Sequence, residues 1–210
     1  MKTITKIVLT GGPCAGKSTA LDRIKQLFTD KGYKVIFVSE TASDMILGGI
    51  AFGSIPKVDF QSVLLAFQLC REKGFEHCAR KLPDEKILIV CDRGAMDGKA
   101  YMDNDEWTEV LSRQGTSETE LMGMYDAIFH MVSAADGAAD GYTTADNNAR
   151  TEDAELAIVL DKQLIKAWTG HPHLRIIDNS TGFEEKLCRL TQEIEHFLKG
   201  ADHVNSNPSH

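Results

Sequence analysis

The stretch Gly11-Gly12-Pro13-Cys14-Ala15-Gly16-Lys17-Ser18 constrains this chain more than any other feature. It matches the pattern Gly-x-x-x-x-Gly-Lys-Ser/Thr in full. The run before it, Lys6-Ile7-Val8-Leu9-Thr10, is β-rich and reads as a buried strand. Residues 18–31 after it carry Leu21, Ile24, Leu27 and Phe28 at helical spacing, and Gly32 stops the pattern. A strand, a glycine turn and a helix in that order curl the backbone so that successive N–H groups point at one place. The positive end of the helix dipole lies at the same place. Such a cradle holds a polyphosphate, with Lys17 reaching the β- and γ-phosphates and Ser18 ligating magnesium. The expected ligand is a nucleoside triphosphate, ATP or GTP, with Mg2+.

The rest of the chain repeats the alternation. Residues 34–39, 86–91, 127–132 and 174–178 read as four further strands. Between them fall a short helix at 41–47, a long one at 59–82 with Val63, Leu64, Phe67, Leu69, Cys70 and Phe75, and one or two short ones within 107–125. A helix opening at Thr151 and another over 181–199 complete the pattern. Strands that alternate with helices predict an α/β fold, a parallel sheet wrapped on both faces. One domain over residues 1–200 and a disordered polar tail over 201–210 are expected.

Composition excludes several classes. A net charge of -8 opposes non-specific binding to nucleic acid or an anionic membrane. The longest apolar runs, such as Ile87-Leu88-Ile89-Val90-Cys91, are too short to span a bilayer. The N-terminus shows no signal-peptide pattern, so the expected compartment is the cytoplasm. Cys14, Cys70, Cys78, Cys91 and Cys188 form no C-x-x-C pair, and neither a disulfide framework nor a zinc site is expected. Cys70, Cys91 and Cys188 read as core residues, and Cys14 fills space in the glycine loop. Trp107 and Trp168 read as packing residues, His171 and His173 as surface residues.

A phosphate loop alone names no reaction. Ligands of parallel sheets bind at the carboxyl ends of the strands, and two acids fall there. Asp92 follows the third strand and can serve the magnesium or accept a proton from an attacking hydroxyl. Its neighbour is Arg93, not the second acid that would activate water, which favours transfer to a bound hydroxyl. Arg93 can clamp a phosphate or substrate oxygen. Glu40, in Ser39-Glu40-Thr41, follows the second strand as an alternative base, a ligand for acceptor hydroxyls or a helix cap. The polar stretch 134–150 has the composition of a lid, and Arg150 at its end is placed to offset charge on the γ-phosphate. Asn147 and Asn148 read as turn residues. Asn179 and Ser180, after the fifth strand, are candidates for base contacts or caps of the last helix. No Asn-Lys-x-Asp sequence supports guanine selectivity by the usual GTPase route.

Several segments together resemble one family: the glycine loop, Ser39-Glu40-Thr41-Ala42, Cys91-Asp92-Arg93-Gly94-Ala95-Met96-Asp97, Asn147-Asn148-Ala149-Arg150-Thr151-Glu152, Trp168-x-Gly170-His171-Pro172 and Ile177-Asp178-Asn179-Ser180. It is the P-loop, AAA-type family shared by the nicotinamide ribonucleoside kinase domain of the bacterial NAD regulator and the TRPL translocation defect protein, and the likeness is nearer the latter. The resemblance covers about residues 4–199. It implies a kinase-like P-loop fold with strand order 2-3-1-4-5 and nucleotide binding over residues 11–19, so including Thr19. It also implies magnesium or base chemistry at Asp92 and a lid arginine at Arg150. GTP and phosphoinositide binding belong to the translocation defect relatives, and the acidic charge sets this chain against lipid.

The residues thus predict a small-molecule kinase that moves the γ-phosphoryl group of ATP to a hydroxyl of an unidentified metabolite, a nucleoside or another polyol. The alternative is a nucleotide-dependent switch with slow hydrolysis, which needs no acceptor pocket.

Overall fold

The computed structural model describes residues 2–137 and 154–205. Five strands form one parallel sheet: β1 (Thr3–Gly11), β2 (Lys34–Val38), β3 (Lys86–Asp92), β4 (Ala127–Met131) and β5 (Leu174–Ile177). Their order is β2-β3-β1-β4-β5, as the resemblance implies. The strand that leads into the glycine loop is therefore central, with Leu9 beside both Asp92 of β3 and Phe129 of β4.

Pleating sends alternate residues of β1 to opposite faces, and both faces are covered. On one, Ile7 and Leu9 join Phe28 and Ile24 of α1 (Lys17–Asp30) and Leu187, Leu190 and Ile194 of α7 (Phe183–Asn205). On the other, Val8 packs with Ile87 and Ile89 of β3, and with Leu65, Trp107, Leu121 and Trp168. These come from α3 (Lys57–Lys81), α4 (Asn104–Gln114), α5 (Glu118–Met122) and α6 (Ala154–Trp168), while α2 (Thr41–Leu47) follows β2. Capping boxes start the two short helices, Asp103 with Glu106 and Ser117 with Glu120.

Three readings of side-chain environment are corrected. Helix α3 buries Phe60, Gln61, Ser62, Leu65, Glu72 and Ala79, whereas Val63, Phe67, Cys70 and Phe75 face outward. Its inner face is partly polar because Gln61 lines a cleft and Glu72 pairs with Lys6 of β1, so apolar spacing misplaced the buried stripe. His171 is buried, with Nε2 donating to the Tyr125 carbonyl at 3.0 Å. Helix α7 continues past Gly200 to Asn205, since a single glycine weakens a helix without stopping it. Residues 206–210 of the expected tail lie outside the described residues. Trp107 and Trp168 are buried as read. No helix among the described residues is long and apolar enough to cross a membrane.

Candidate active site

The glycine loop begins where β1 ends. Gly11 sits at φ +152°, and a Cβ there would drive into the Met131 carbonyl of β4. Pro13 and Ala15 are buried, while Cys14 takes a left-handed conformation at φ 54°. Gly16 forms the N-cap of α1 at φ 87°, and no side chain caps that helix. Helix α1 thus begins at the loop without a side-chain cap among the described residues, its positive end at the cradle. Lys17, Ser18 and Thr19 make up the first turn, with Ser18 and Thr19 exposed. The Lys17 ammonium folds back over the loop and donates to the Gly11 carbonyl at 3.3 Å. Gly12 is turned inward, its N–H donating to Asp161 Oδ1 of α6 at 2.6 Å. Ser133 Oγ donates to the Pro13 carbonyl at 2.6 Å and so pins the loop from β4's side.

Asp92 closes β3 next to this loop. Its Oδ1 is buried with no hydrogen-bond partner among the described residues. Burial raises its pKa above the ordinary carboxylate value, with Lys17 pulling the other way and Glu40 adding to the rise. Arg93 follows at φ 76°, an unusual seat for a side chain of its size. Its backbone N–H donates to the Leu9 carbonyl at 3.1 Å, and its Nε donates to Glu40 Oε1 at 3.1 Å. Burial disfavours the guanidinium charge, but Tyr101, Glu40, Asp97 and Asp92 more than offset it, and Arg93 stays protonated. Nη1 lies 3.8 Å from Asp97 Oδ2, and neither Nη1 nor Nη2 has a hydrogen-bond partner among the described residues. Glu40 stands at the N-cap position of α2 without capping it, and accepts from Arg93 and from Ser43 Oγ at 2.6 Å.

Beside these groups opens a cleft lined by Glu40, Thr41, Phe52, Gln61, Arg93 and Tyr101, among others. The Phe52 and Tyr101 rings lie 6.2 Å apart and nearly parallel, at 17°. Thr41 Oγ1 is buried there without a hydrogen-bond partner among the described residues. One end of the cleft is thus aromatic, and the other is a guanidinium held between carboxylates.

Asn179 and Ser180 sit after β5. The Asn179 amide donates to the carbonyls of Ser133 and Asp136 at 2.8 and 2.6 Å, and its oxygen accepts from Lys186. It braces the turn that follows β4. Ser180 Oγ donates to Asp178 at 2.6 Å. Arg150, with Asn147, Asn148 and Thr151, lies outside the described residues, as does most of the stretch read as a lid.

Sequence reading missed Asp97, Asp161, Thr41 and Gln68. Asp161 carried a signal: it falls on the apolar stripe of α6 with Ala157, Leu160 and Leu164, where a carboxylate needs partners. Asp97, four residues past Arg93, is buried in a 3-10 turn (Asp97–Tyr101) that no hydrophobic period marks.

A central parallel strand running into a phosphate loop, with acids at the neighbouring strand ends, defines a P-loop nucleotide-binding α/β protein. The family model described as AAA domain matches residues 6–186, and the chain belongs to that family. A comparison with curated proteins returns no match.

Proposed function

We propose that the chain is a small-molecule kinase that transfers the γ-phosphoryl group of ATP to a metabolite hydroxyl. One observation carries this reading: Thr41 Oγ1 and Arg93 Nη1 and Nη2 are buried around the cleft beside Asp92 with no hydrogen-bond partner among the described residues. Orphaned buried donors are costly and mark a place where a ligand completes the bonding. A hydrolase or switch has no need of such a cleft. The family supports the nucleotide half, and the cleft supports an acceptor.

In this reading the triphosphate lies on the loop amides from residues 11–19, with Lys17 over its β- and γ-phosphates. A magnesium ion borne by a triphosphate takes one or two protein oxygens. The exposed Ser18 hydroxyl and the orphaned Asp92 Oδ1 fit that donor set. The ion would draw off phosphate charge. The acceptor hydroxyl faces Asp92 from the cleft, held by Arg93, Glu40 and Thr41. Its oxygen forms the new bond to the γ-phosphorus as the bond to the β,γ-bridging oxygen breaks, ADP leaves, and the hydroxyl proton passes to Asp92. Asp92 is favoured over Glu40 as the base because Glu40 is already committed to Arg93 and Ser43. Arg150 completes the charge from the chain's lid segment. Asn179 and Ser180, just past β5, border the base. The likeness to nicotinamide ribonucleoside kinase domains supports a nucleoside or related polyol as acceptor, and a cytoplasmic setting suits ATP chemistry.

The test is incubation of the purified protein with γ-labelled ATP, Mg2+ and pools of nucleosides and polyols. Label should appear in one organic phosphate, dependent on one pool. Release of inorganic phosphate alone, at a rate indifferent to every pool, would establish the switch instead.

A further inference from the structure

Helix α6 touches both halves of the site through buried hydrogen bonds on one of its faces. Asp161 Oδ1 accepts from Gly12 N at 2.6 Å and from Ser133 N at 3.2 Å, and pairs with His130 Nε2 at 3.1 Å. Two turns further along, about 10 Å by helical rise, Trp168 Nε1 donates to Asp97 Oδ1 at 2.6 Å. The other oxygen of Asp97 accepts from Thr10 Oγ1 at 2.7 Å. Thr10 is in β1, one residue short of the loop that starts at Gly11. The bonds therefore close a ring: Gly12 to Asp161, along α6 to Trp168, across to Asp97, and back through Thr10 to Gly12. Asp97, Asp161, Trp168 and Thr10 are all buried. Asp97 is also the carboxylate 3.8 Å from Arg93 Nη1.

A ring of short buried bonds resists deformation more than its separate members do. Each member limits the others' freedom, so loosening one corner loosens the next. We propose that α6 acts as a spacer fixing the phosphate loop relative to the Asp97–Arg93 pair, with Asp161 and Trp168 as positioning residues. Neither need touch a ligand. Asp161 sets how the loop curls by taking the Gly12 N–H away from the phosphate side. Trp168 and Thr10 hold Asp97 by its two oxygens, which keeps it from drawing Arg93 away from Glu40. The inference rests on nucleotide binding at the loop and is independent of whether the phosphoryl group goes to a metabolite or to water.

The measurement is MgATP affinity by calorimetry on the full chain. Asp161→Asn is expected to weaken binding about 10-fold and Trp168→Phe about 4-fold, although Trp168 lies far from the loop. Together they should weaken it about 10-fold, short of the product, because both open the same ring. Thr10→Val keeps shape but loses the hydroxyl, and should weaken binding by about 4-fold. Thr10→Ser keeps the hydroxyl and should stay within about 2-fold of the parent, although it loses a buried methyl. A purely structural role for Thr10 predicts the reverse ranking. Wild-type affinity in both Trp168→Phe and Thr10→Val, or effects of Asp161→Asn and Trp168→Phe that multiply fully, would overturn the spacer. Failure of the unaltered chain to bind MgATP would overturn the nucleotide reading and the spacer with it.

Discussion

Gln68 donates its side-chain amide to the backbone carbonyl of Arg93 at 3.3 Å and to Glu72 Oε1 at 3.0 Å. Tyr125 does the same for the other side of that turn: its hydroxyl accepts from Ala95 N at 2.9 Å and donates to Glu72 Oε1 at 2.8 Å. The left-handed turn that aims Arg93 into the cleft is thus held on both sides by groups that converge on Glu72.

Glu72 in turn is paired with Lys6 of β1 at 3.2 Å, both side chains almost wholly buried. Burial works against the Lys6 ammonium, but Glu72 and Glu76 outweigh it and hold its pKa above the ordinary lysine value. Removing Lys6 strands the Glu72 carboxylate, whereas removing Glu72 leaves Lys6 with Glu76 at 2.5 Å. Lys6→Met is expected to lower the unfolding free energy by about 3–5 kcal/mol, and adding Glu72→Met should recover much of that loss. Urea denaturation followed by circular dichroism checks both.

Lys17 and Asp92 should separate binding from chemistry. Lys17→Ala removes the ammonium over the phosphates and should weaken MgATP binding about 100-fold or more. Asp92→Asn keeps shape and one acceptor oxygen. It should cut phosphoryl transfer by about 1000-fold or more while MgATP affinity changes less than about 10-fold. Equal losses of binding and transfer in Asp92→Asn would remove Asp92 from the proton's path.

Gly16 is held in place by two independent constraints. Its φ of 87° strains any L side chain, and an added Cβ would run into the Phe183 ring at the start of α7. Gly16→Ala should cost about 1–3 kcal/mol of stability and most of the nucleotide affinity. Adding Phe183→Leu should return part of the stability and little of the affinity, since the backbone strain persists. Thermal melts with and without MgATP distinguish the two contributions.

Lys186 offers a pH readout of the region behind the loop. Its ammonium donates to the Val132 carbonyl at 2.6 Å and to Asn179 Oδ1 at 2.7 Å. Burial lowers its pKa to about 8, although Asp161 pulls upward. In the unfolded chain the same amine titrates near the ordinary 10.5. Between those values the unfolded state binds a proton that the fold has released, so this group raises stability as pH climbs from about 8 towards 10.5. The melting temperature of the parent minus that of Lys186→Met should therefore grow from pH 7.5 to about pH 10. A difference that shrinks over that range contradicts the lowered pKa.

The strands, the glycine loop and the acids at the strand ends were legible because their signals are local. An apolar run, a glycine spacing and a carboxylate just past a strand can each be read within a few residues. Charges that meet across elements were not. Lys6 reads as the polar edge of a strand, yet it is buried against Glu72, and Asp161 reads as a helix polar residue until Gly12 is beside it. Helix α3 misled for a related reason: Gln61 and Gln68 point to the cleft and Glu72 to Lys6, while Phe67 is left at the surface. Polar contacts at long sequence separation leave no period, so only the fold reveals them.

Cys14 occupies a left-handed position within the loop and is partly exposed there. A sulfur at that place reports on whatever fills the cradle. Against a background in which the exposed Cys70 and Cys78 and the half-buried Cys188 are replaced by serine, alkylation of the chain becomes a footprint of loop occupancy. Triphosphate with magnesium should slow the labelling, and the protection curve would give an affinity without any radioactive tracer.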